Sequence, residues 1–220
     1  KSISFLRKNK INILISTGGY MSLPLCLGAK ILNIKLLLFE PNMVLGRSNK
    51  IFISYCQKIF CYSDNIKKFP IKFKNKIEVI PSLLRKIFYD KRDNDNSLDT
   101  INLLIIGGSQ GAKIFDDLVK NTIIKLSKKY KLKIYQQTSA INFESFRKIY
   151  ENNNINCELF DFNDEVINFM QKTDLCITRA GASTLAELNF TEIPYLAIPL
   201  PTAKDNHQFE NAYFYNKLGF

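Results

Sequence analysis

The chain of 220 residues holds one histidine and five cysteines, Cys26, Cys56, Cys61, Cys157 and Cys176, none in C-x-x-C spacing. A His-rich zinc site is therefore disfavoured. An odd set of unpatterned thiols is expected to be reduced and mostly buried, as in a cytosolic protein. No apolar run approaches the roughly 20 residues that span a bilayer. Residues 1–10 mix charged and apolar side chains and lack the apolar stretch of a signal peptide. Two nucleotide signatures are missing as well. G-x-x-x-x-G-K-[ST] fails because Ala112 separates Gly111 from Lys113, and the same loop does not read G-x-G-x-x-G. There is no long low-complexity tract, no solenoid-type repeat, and no helix-turn-helix or aromatic-interleaved basic motif.

What is present suits a folded protein. An apolar fraction of 46% in 220 residues allows one large or two small domains with a real core. The net charge of +11 is unevenly placed: residues 1–100 hold 18 Lys/Arg against 7 Asp/Glu, and residues 101–220 hold 13 of each. Lys and Asn enrichment spread over solvated faces would not spare the second half. The excess is read as a surface that meets something anionic, a membrane or a nucleic acid.

A strand–helix–strand rhythm with short connections runs through the sequence, as in parallel sheets covered by helices. Strands are expected at 11–16, 34–39, 58–62 and 77–80, with helices at 21–32 and 48–55. The 11–16 strand reads as buried. Residues 90–100, with Asp90, Asp93, Asp95, Asp99, Asn94 and Asn96, have a linker composition. They divide a first domain, 1–89, from a second, 101–220. Strands are then expected at 101–106, 132–136, 157–160, 174–178 and 195–198. Helices are expected at 112–129, 143–153, 164–172, 184–190 and 207–218, with Asp164 near the start of the third of these and Ser183 or Thr184 able to cap the fourth.

Four loops follow predicted strands: Gly18-Gly19-Tyr20, Glu40-Pro41-Asn42, Gly107-Gly108-Ser109-Gln110-Gly111 and Arg179-Ala180-Gly181-Ala182-Ser183. In open α/β sheets, ligands bind at the carboxyl ends of strands. The Gly107–Gly111 loop joins a strand to a helix, where free N–H groups can hold phosphate oxygens. A tight turn without a ligand is the other reading. Glu187 falls one turn into a helix and is either a ribose-binding carboxylate or a solvated one. Asp205-Asn206-His207-Gln208 offers donors and acceptors for sugar hydroxyls. Arg85, Asn42 and Asn49 are unremarkable taken singly.

Taken together, these motifs resemble the MurG family of bacterial glycosyltransferases. Ser16–Tyr20, Glu40-Pro41-Asn42 through Gly46 to Asn49, Gly107–Ala112, Arg179–Glu187 and Asp205–Ala212 stand in the family's order and spacing, and the likeness covers essentially the whole chain. The resemblance implies a GT-B fold: α/β, with two doubly wound Rossmann-like domains facing across a cleft. It implies transfer of N-acetylglucosamine from UDP-N-acetylglucosamine to an undecaprenyl-linked muramoyl-pentapeptide, with no metal and no cofactor. In the second domain, Gly107, Gly108, Ser109, Gln110 and Gly111 would hold the UDP phosphates, Glu187 the ribose, and backbone near Phe162-Asn163 the uracil. Gln208, with His207 and Asn211 beside it, would bind the sugar, and Arg85 would lie near the diphosphate. The turn before Arg85 reads Pro81-Ser82-Leu83-Leu84 where the family has Gly-Asn-Pro-Val. Gly18, Gly19, Tyr20, Asn42 and Asn49 would line the acceptor side, with Glu40 as the candidate base.

The implied partners are the nucleotide sugar, the lipid acceptor and the anionic cytoplasmic face of the inner membrane, where the enzyme would be peripheral. Lys8, Lys10, Lys30 and Lys35, with Ile31 and Leu32, are the expected membrane contact. No nucleic-acid partner is expected. The family's Gly-Gly-Thr-Gly-Gly-His loop would lie before Lys1, so the chain reads as a piece missing both ends and catalytically weak or dead. Rival readings are another GT-B UDP-sugar transferase, a non-catalytic remnant and a basic nucleic-acid-binding protein.

Overall fold

The structure, a computed structural model, describes residues 1–89, 99–107, 112–161 and 166–220. The elements in chain order are α1 (Ser2–Lys8), β1 (Ile13–Ser16), α2 (Leu23–Ile31), β2 (Lys35–Glu40), α3 (Arg47–Phe52), β3 (Lys58–Cys61), β4 (Ile77–Val79), β5 (Ile101–Ile106) and α4 (Ala112–Ser127). There follow β6 (Leu132–Gln137), α5 (Phe143–Glu151), β7 (Asn156–Phe160), α6 (Val166–Met170), β8 (Leu175–Thr178), α7 (Ala182–Phe190), β9 (Tyr195–Ala197) and α8 (His207–Lys217). They fall into two compact units. Unit 1 is Lys1–Ser82 with Thr202–Phe214, and unit 2 is Leu83–Pro201 with Tyr215–Phe220.

This division departs from the boundary read off the sequence in two places. Residues 83–89 join unit 2 because Phe88 is buried in its core, with Leu84 packed beside it. Residues 202–214 join unit 1, where Phe214 packs on the core of the first sheet and Asn211 hydrogen-bonds the loop after β2. Of the expected linker at 90–100, residues 90–98 lie outside the described residues.

Unit 1 is a parallel sheet in the order β1-β2-β3-β4. Alternate residues Leu36 and Leu38 of β2 and Ile59 and Cys61 of β3 are buried together with Phe52, Ile53 and Cys56. Such alternation is the period-2 signature of a strand with one face in a core. Burial pushes the Cys61 thiol up to about 12, with the Glu40 charge adding to it, so this group stays protonated. All five thiols are free, and four of them are buried. The first strand is not the buried strand expected: Ile13 and Ile15 are 53% and 61% exposed. Among the described residues it is an edge strand, hydrogen-bonded to β2 alone.

The sequence pattern gave no element before residue 11, yet Ser2–Lys8 is helical. Its anchor is Leu6, 1% exposed, which packs with Ala29 and Ile34. Gly28 on α2 permits the close approach, since a Cβ there would stand 3.1 Å from the Leu6 side chain.

Unit 2 is doubly wound. Its five parallel strands run in the order β7-β6-β5-β8-β9. Leu103 and Ile105 of β5 face a core built with Val119 and Ile123 of α4 and Phe146 and Tyr150 of α5. Leu104 and Ile106 face the opposite core, with Ile167 and Met170 of α6 and Leu188 of α7. Helices cover both faces, which is why these strands read as continuous apolar runs.

Replacing Leu6 by Ala is expected to destabilise unit 1 by about 2–4 kcal/mol, the cost of a buried leucine and the cavity it leaves. Urea denaturation of the two proteins measures it, and a loss below half a unit on that scale would mean that α1 is not docked as described.

Candidate functional site

Unit 2 carries its polar groups where its topology reverses. From β5 the chain moves outward on one side through β6 and β7, then returns to the other side for β8 and β9. A crevice opens at the carboxyl ends of strands at such a switch point. The register pairs Ile106 with Thr178, so the residues that follow, Gly107 and Arg179, emerge side by side. Arg179 Nη1 donates to the Gly107 carbonyl at 3.2 Å. Its Nε is buried and has no hydrogen-bond partner among the described residues, and burial pulls the guanidinium pKa down. Sequence reasoning quoted Arg179 in its loop but gave it no role. The signal was a cation directly after the strand that neighbours β5.

Glu187 lies on α7, which follows β8. Its carboxylate accepts an ion pair from Arg85, with Nε to Oε1 at 3.3 Å. Burial pushes the Glu187 pKa up, while the charge and hydrogen bond of Arg85 pull it back. Two residues singled out from distant stretches of sequence thus meet. The helix itself starts one residue before the expected caps: Gly181 is the N-cap in an extended conformation, and no side chain caps the helix. Gly108, Ser109, Gln110, Gly111, Phe162, Asn163 and Asp164 lie outside the described residues.

The first turns of α4 are tied to β6 by a buried carboxylate that sequence reading overlooked. Asp116 is 5% exposed. It accepts from Gln136 Nε2 at 2.9 Å, Thr138 Oγ1 at 2.8 Å and Asn142 Nδ2 at 3.1 Å. Tyr150 donates in turn to Gln136 Oε1. A buried charge is tolerable only when satisfied in this way. Among the described residues, no group of three or more His, Cys, Asp or Glu side chains could hold a metal ion.

In unit 1 the loops after β1 and β2 meet around Glu40, which is 3% exposed. Its Oε1 accepts from the Asn42 backbone N–H at 3.2 Å and from Asn42 Nδ2 at 3.0 Å. Its Oε2 accepts from the Gly46 N–H at 2.7 Å and from Asn49 Nδ2 at 3.0 Å. A side chain at 46 would push the carboxylate aside, because a Cβ there would stand 2.9 Å from Oε2. Asn49 Nδ2 also donates to the Phe39 carbonyl at 3.0 Å, which orients the amide, and its buried Oδ1 has no partner among the described residues. Gly18, at φ +78°, lies directly over that amide. Gly19 shares the positive φ, and Tyr20 beyond it is 87% exposed.

The segment expected to bind the donor sugar is held in unit 1. Asn211 Oδ1 accepts from the Met43 N–H at 2.8 Å, and its Nδ2 donates to Asn42 Oδ1 at 3.1 Å. Gln208 is buried beside it. Asp205, at φ +57°, pairs with Lys68 at 2.7 Å and Arg47 at 2.9 Å. Those two cations, Lys68 foremost, hold its carboxyl down at about 2. Asn42, Gly46, Arg47, Asp205 and His207 line a cavity of about 220 Å³.

A model of the glycosyltransferase family 28 C-terminal domain matches residues 102–219, and a model of the N-terminal domain of the same family matches residues 1–61. The chain belongs to glycosyltransferase family 28, and its α/β fold is of the GT-B class. It is 87% identical over 220 residues to the UDP-N-acetylglucosamine–N-acetylmuramyl-(pentapeptide) pyrophosphoryl-undecaprenol N-acetylglucosamine transferase of Pelagibacter ubique, with 100% of this chain and 62% of that protein covered. The protein of the same name from Rickettsia bellii is 37% identical, with 96% and 62% covered. The crystal structure of Acinetobacter baumannii MurG superposes with a TM-score of 0.75 at 26% identity, with 99% of this chain and 61% of that one covered. The chain thus spans about 62% of the length of the curated relatives it matches.

Glu40→Gln would set an amide N–H2 against neighbouring donors. It is expected to cost about 1–3 kcal/mol of stability, the penalty for unsatisfied buried polar groups. Chemical denaturation of unit 1 checks this, and an unchanged midpoint would show that the loop does not depend on the carboxylate.

Proposed function

We propose that the protein is a UDP-N-acetylglucosamine-dependent glycosyltransferase. In this reading it transfers N-acetylglucosamine to the 4-hydroxyl of a muramoyl-pentapeptide carried on undecaprenyl pyrophosphate, the step from lipid I to lipid II in peptidoglycan synthesis. The observation that carries the reading is the 87% identity to the Pelagibacter ubique transferase, sustained over all 220 residues. The switch-point edge of unit 2 supports it, because that edge is where a nucleotide binds in a doubly wound sheet.

Unit 2 would hold the nucleotide. Gly107 and the loop through Gly111, with Ser109, would cradle the diphosphate beside Arg85. Glu187 would take the ribose hydroxyls, and backbone at 162–163 the uracil. His207, Gln208 and Asn211 would meet the sugar hydroxyls, with Asn211 exchanging its bonds to Met43 and Asn42 for them. Gly18, Gly19, Tyr20, Asn42 and Asn49 would line the acceptor side.

The reaction is an inverting displacement. The acceptor 4-oxygen forms a bond to the anomeric carbon as the bond from that carbon to the diphosphate breaks, and UDP carries away the electron pair. Helix N–H groups and Arg85 would stabilise the charge growing on the diphosphate. A base takes the hydroxyl proton. Glu40 is proposed for that task, and it would release one of its four hydrogen bonds to do so.

The protein would work as a peripheral enzyme on the cytoplasmic face of the inner membrane. Among the described residues no helix is long and apolar enough to cross a membrane. Lys8, Lys10, Lys30 and Lys35 are exposed near the packed ends of α1 and α2, with Ile31 60% exposed among them. Each such lysine gains roughly 1 kcal/mol near an anionic surface.

A saturating nucleotide sugar stabilises the state that binds it, by about 2.7 kcal/mol at a hundredfold excess over its dissociation constant. UDP-N-acetylglucosamine is therefore expected to raise the melting temperature more than UDP-N-acetylgalactosamine does. Equal shifts, or none, would overturn the assignment of the donor. Binding to liposomes is expected to fall with added salt and with removal of anionic lipid, and binding indifferent to both would refute the membrane contact.

A further inference from the structure

The cavity of unit 1 between the loop after β2 and the start of α8 carries a charge that the donor and acceptor contacts above leave unused. Its volume of about 220 Å³ is below the roughly 300 Å³ at which pockets begin to enclose a whole drug-sized ligand. It therefore suits one short piece of a larger molecule. Asn42 and Gly46 form the wall it shares with the Glu40 site, since both line the cavity and both bond that carboxylate. The Asn42 amide is fixed at both ends, donating to Glu40 and accepting from Asn211. Val44 and Leu45 add apolar surface. Arg47 and Asp205 supply the charge. Arg47 and Lys68 each donate to one Asp205 oxygen, at 2.9 and 2.7 Å, so two cations share one carboxylate. Arg47 engages through Nε alone. Its side chain is 76% exposed, and its two terminal amino groups have no hydrogen-bond partner among the described residues. Lys68 occupies the other oxygen, so the guanidinium is not drawn into a two-pronged pair with Asp205. What remains is a planar fork of N–H groups, the shape that matches a second carboxylate.

We propose that this cavity is a subsite for the stem peptide of the acceptor, in which Arg47 binds a peptide carboxylate. The inference rests on the acceptor reading of unit 1 given above. The peptide of a muramoyl group hangs from a lactyl ether on the ring carbon next to the one that bears the reacting 4-hydroxyl. With that hydroxyl at Glu40, the lactyl group stands one carbon away, beside Asn42 and Gly46, and the peptide leaves along the wall that the cavity shares with the Glu40 site. The acceptor's diphosphate is attached at the anomeric carbon, across the sugar ring from the 4-hydroxyl. Of the two kinds of anion on the acceptor, the peptide carboxylate is therefore the one that Arg47 meets. Charge-assisted bonds of this kind are stronger than neutral ones. They give the site a means of telling a peptide-bearing sugar from a bare one.

Two soluble probes test the subsite: N-acetylmuramoyl-pentapeptide, and the same compound with its peptide carboxylates converted to amides. Neither carries a diphosphate or a lipid. Each is titrated by NMR into the protein, into Arg47→Gln and into Arg47→Lys. The unaltered protein is expected to bind the carboxylate probe about two- to fivefold tighter than the amide probe, the range of a partly exposed ion pair. Added salt should narrow that difference. Arg47→Gln should abolish the preference and leave the affinity for the amide probe as it was. Arg47→Lys, which keeps a cation but loses the fork, should retain part of the preference and serves if the glutamine variant does not fold. An arginine that serves the acceptor's diphosphate instead would show no preference between probes that both lack one. Equal binding of the two probes, or a preference that survives in Arg47→Gln, would overturn the peptide subsite alone. Failure of the unaltered protein to bind either probe would bring down the acceptor reading and the subsite with it.

Discussion

The pairing of β5 with β6 on one side and β8 on the other is the constraint on which the candidate site of unit 2 depends. Parallel strands need crossovers of one hand, so a chain that winds outward from a central strand and then returns must leave an opening above it. The register of β5 with β8 sends Gly107 and Arg179 out as neighbours. The hydrogen bond between them ties the two loops at their roots. Asp116 fastens the following helix to β6 on the opposite side. With both flanks fixed, the roots of the loops that form this edge are held in place.

Much of this was legible in the sequence, and what was not has physical causes. The strand–helix rhythm is visible because strands buried on both faces read as apolar runs, as at 101–106, and these ended where expected. The first helix was missed because its dependence on Leu6 is tertiary: seven residues with one buried side chain carry no helical pattern of their own. The exposure of Ile13 and Ile15 was invisible for the converse reason, since a run of apolar residues does not say that its strand lies at a sheet edge. Unit boundaries are the hardest to read. The composition of 90–100 marks a break in pattern, but whether 83–89 and 202–214 side with one sheet or the other is decided by Phe88, Phe214 and Asn211, each acting through contacts distant in sequence.

For the candidate site the sequence located loops but not the partners of their side chains. Glu40, Asn42, Gly46 and Asn49 are recognisable as a group by spacing, yet nothing in that spacing says that one carboxylate binds the rest. Arg179 and Asp116 went without a role because a cation after a strand and an acid within a helix are common on surfaces. Only the burial of Asp116 and of the Arg179 Nε sets them apart.

The two glutamates that matter most show how identical chemistry is turned to different ends. Glu40 ends one parallel strand, Glu187 lies on the helix that follows another, and both are largely removed from water. Glu40 is met by four neutral donors, two of them backbone N–H groups that cannot leave. Such a carboxylate is satisfied wherever the loop is folded, and any proton it takes must come at the expense of one of those bonds. Glu187 is met by one cation on a long side chain that is itself 41% exposed. Burial and that cation pull the Glu187 pKa in opposite directions. The difference lies in who holds the other end of the bond: donors of its own loop for Glu40, and a cation from a separate turn for Glu187.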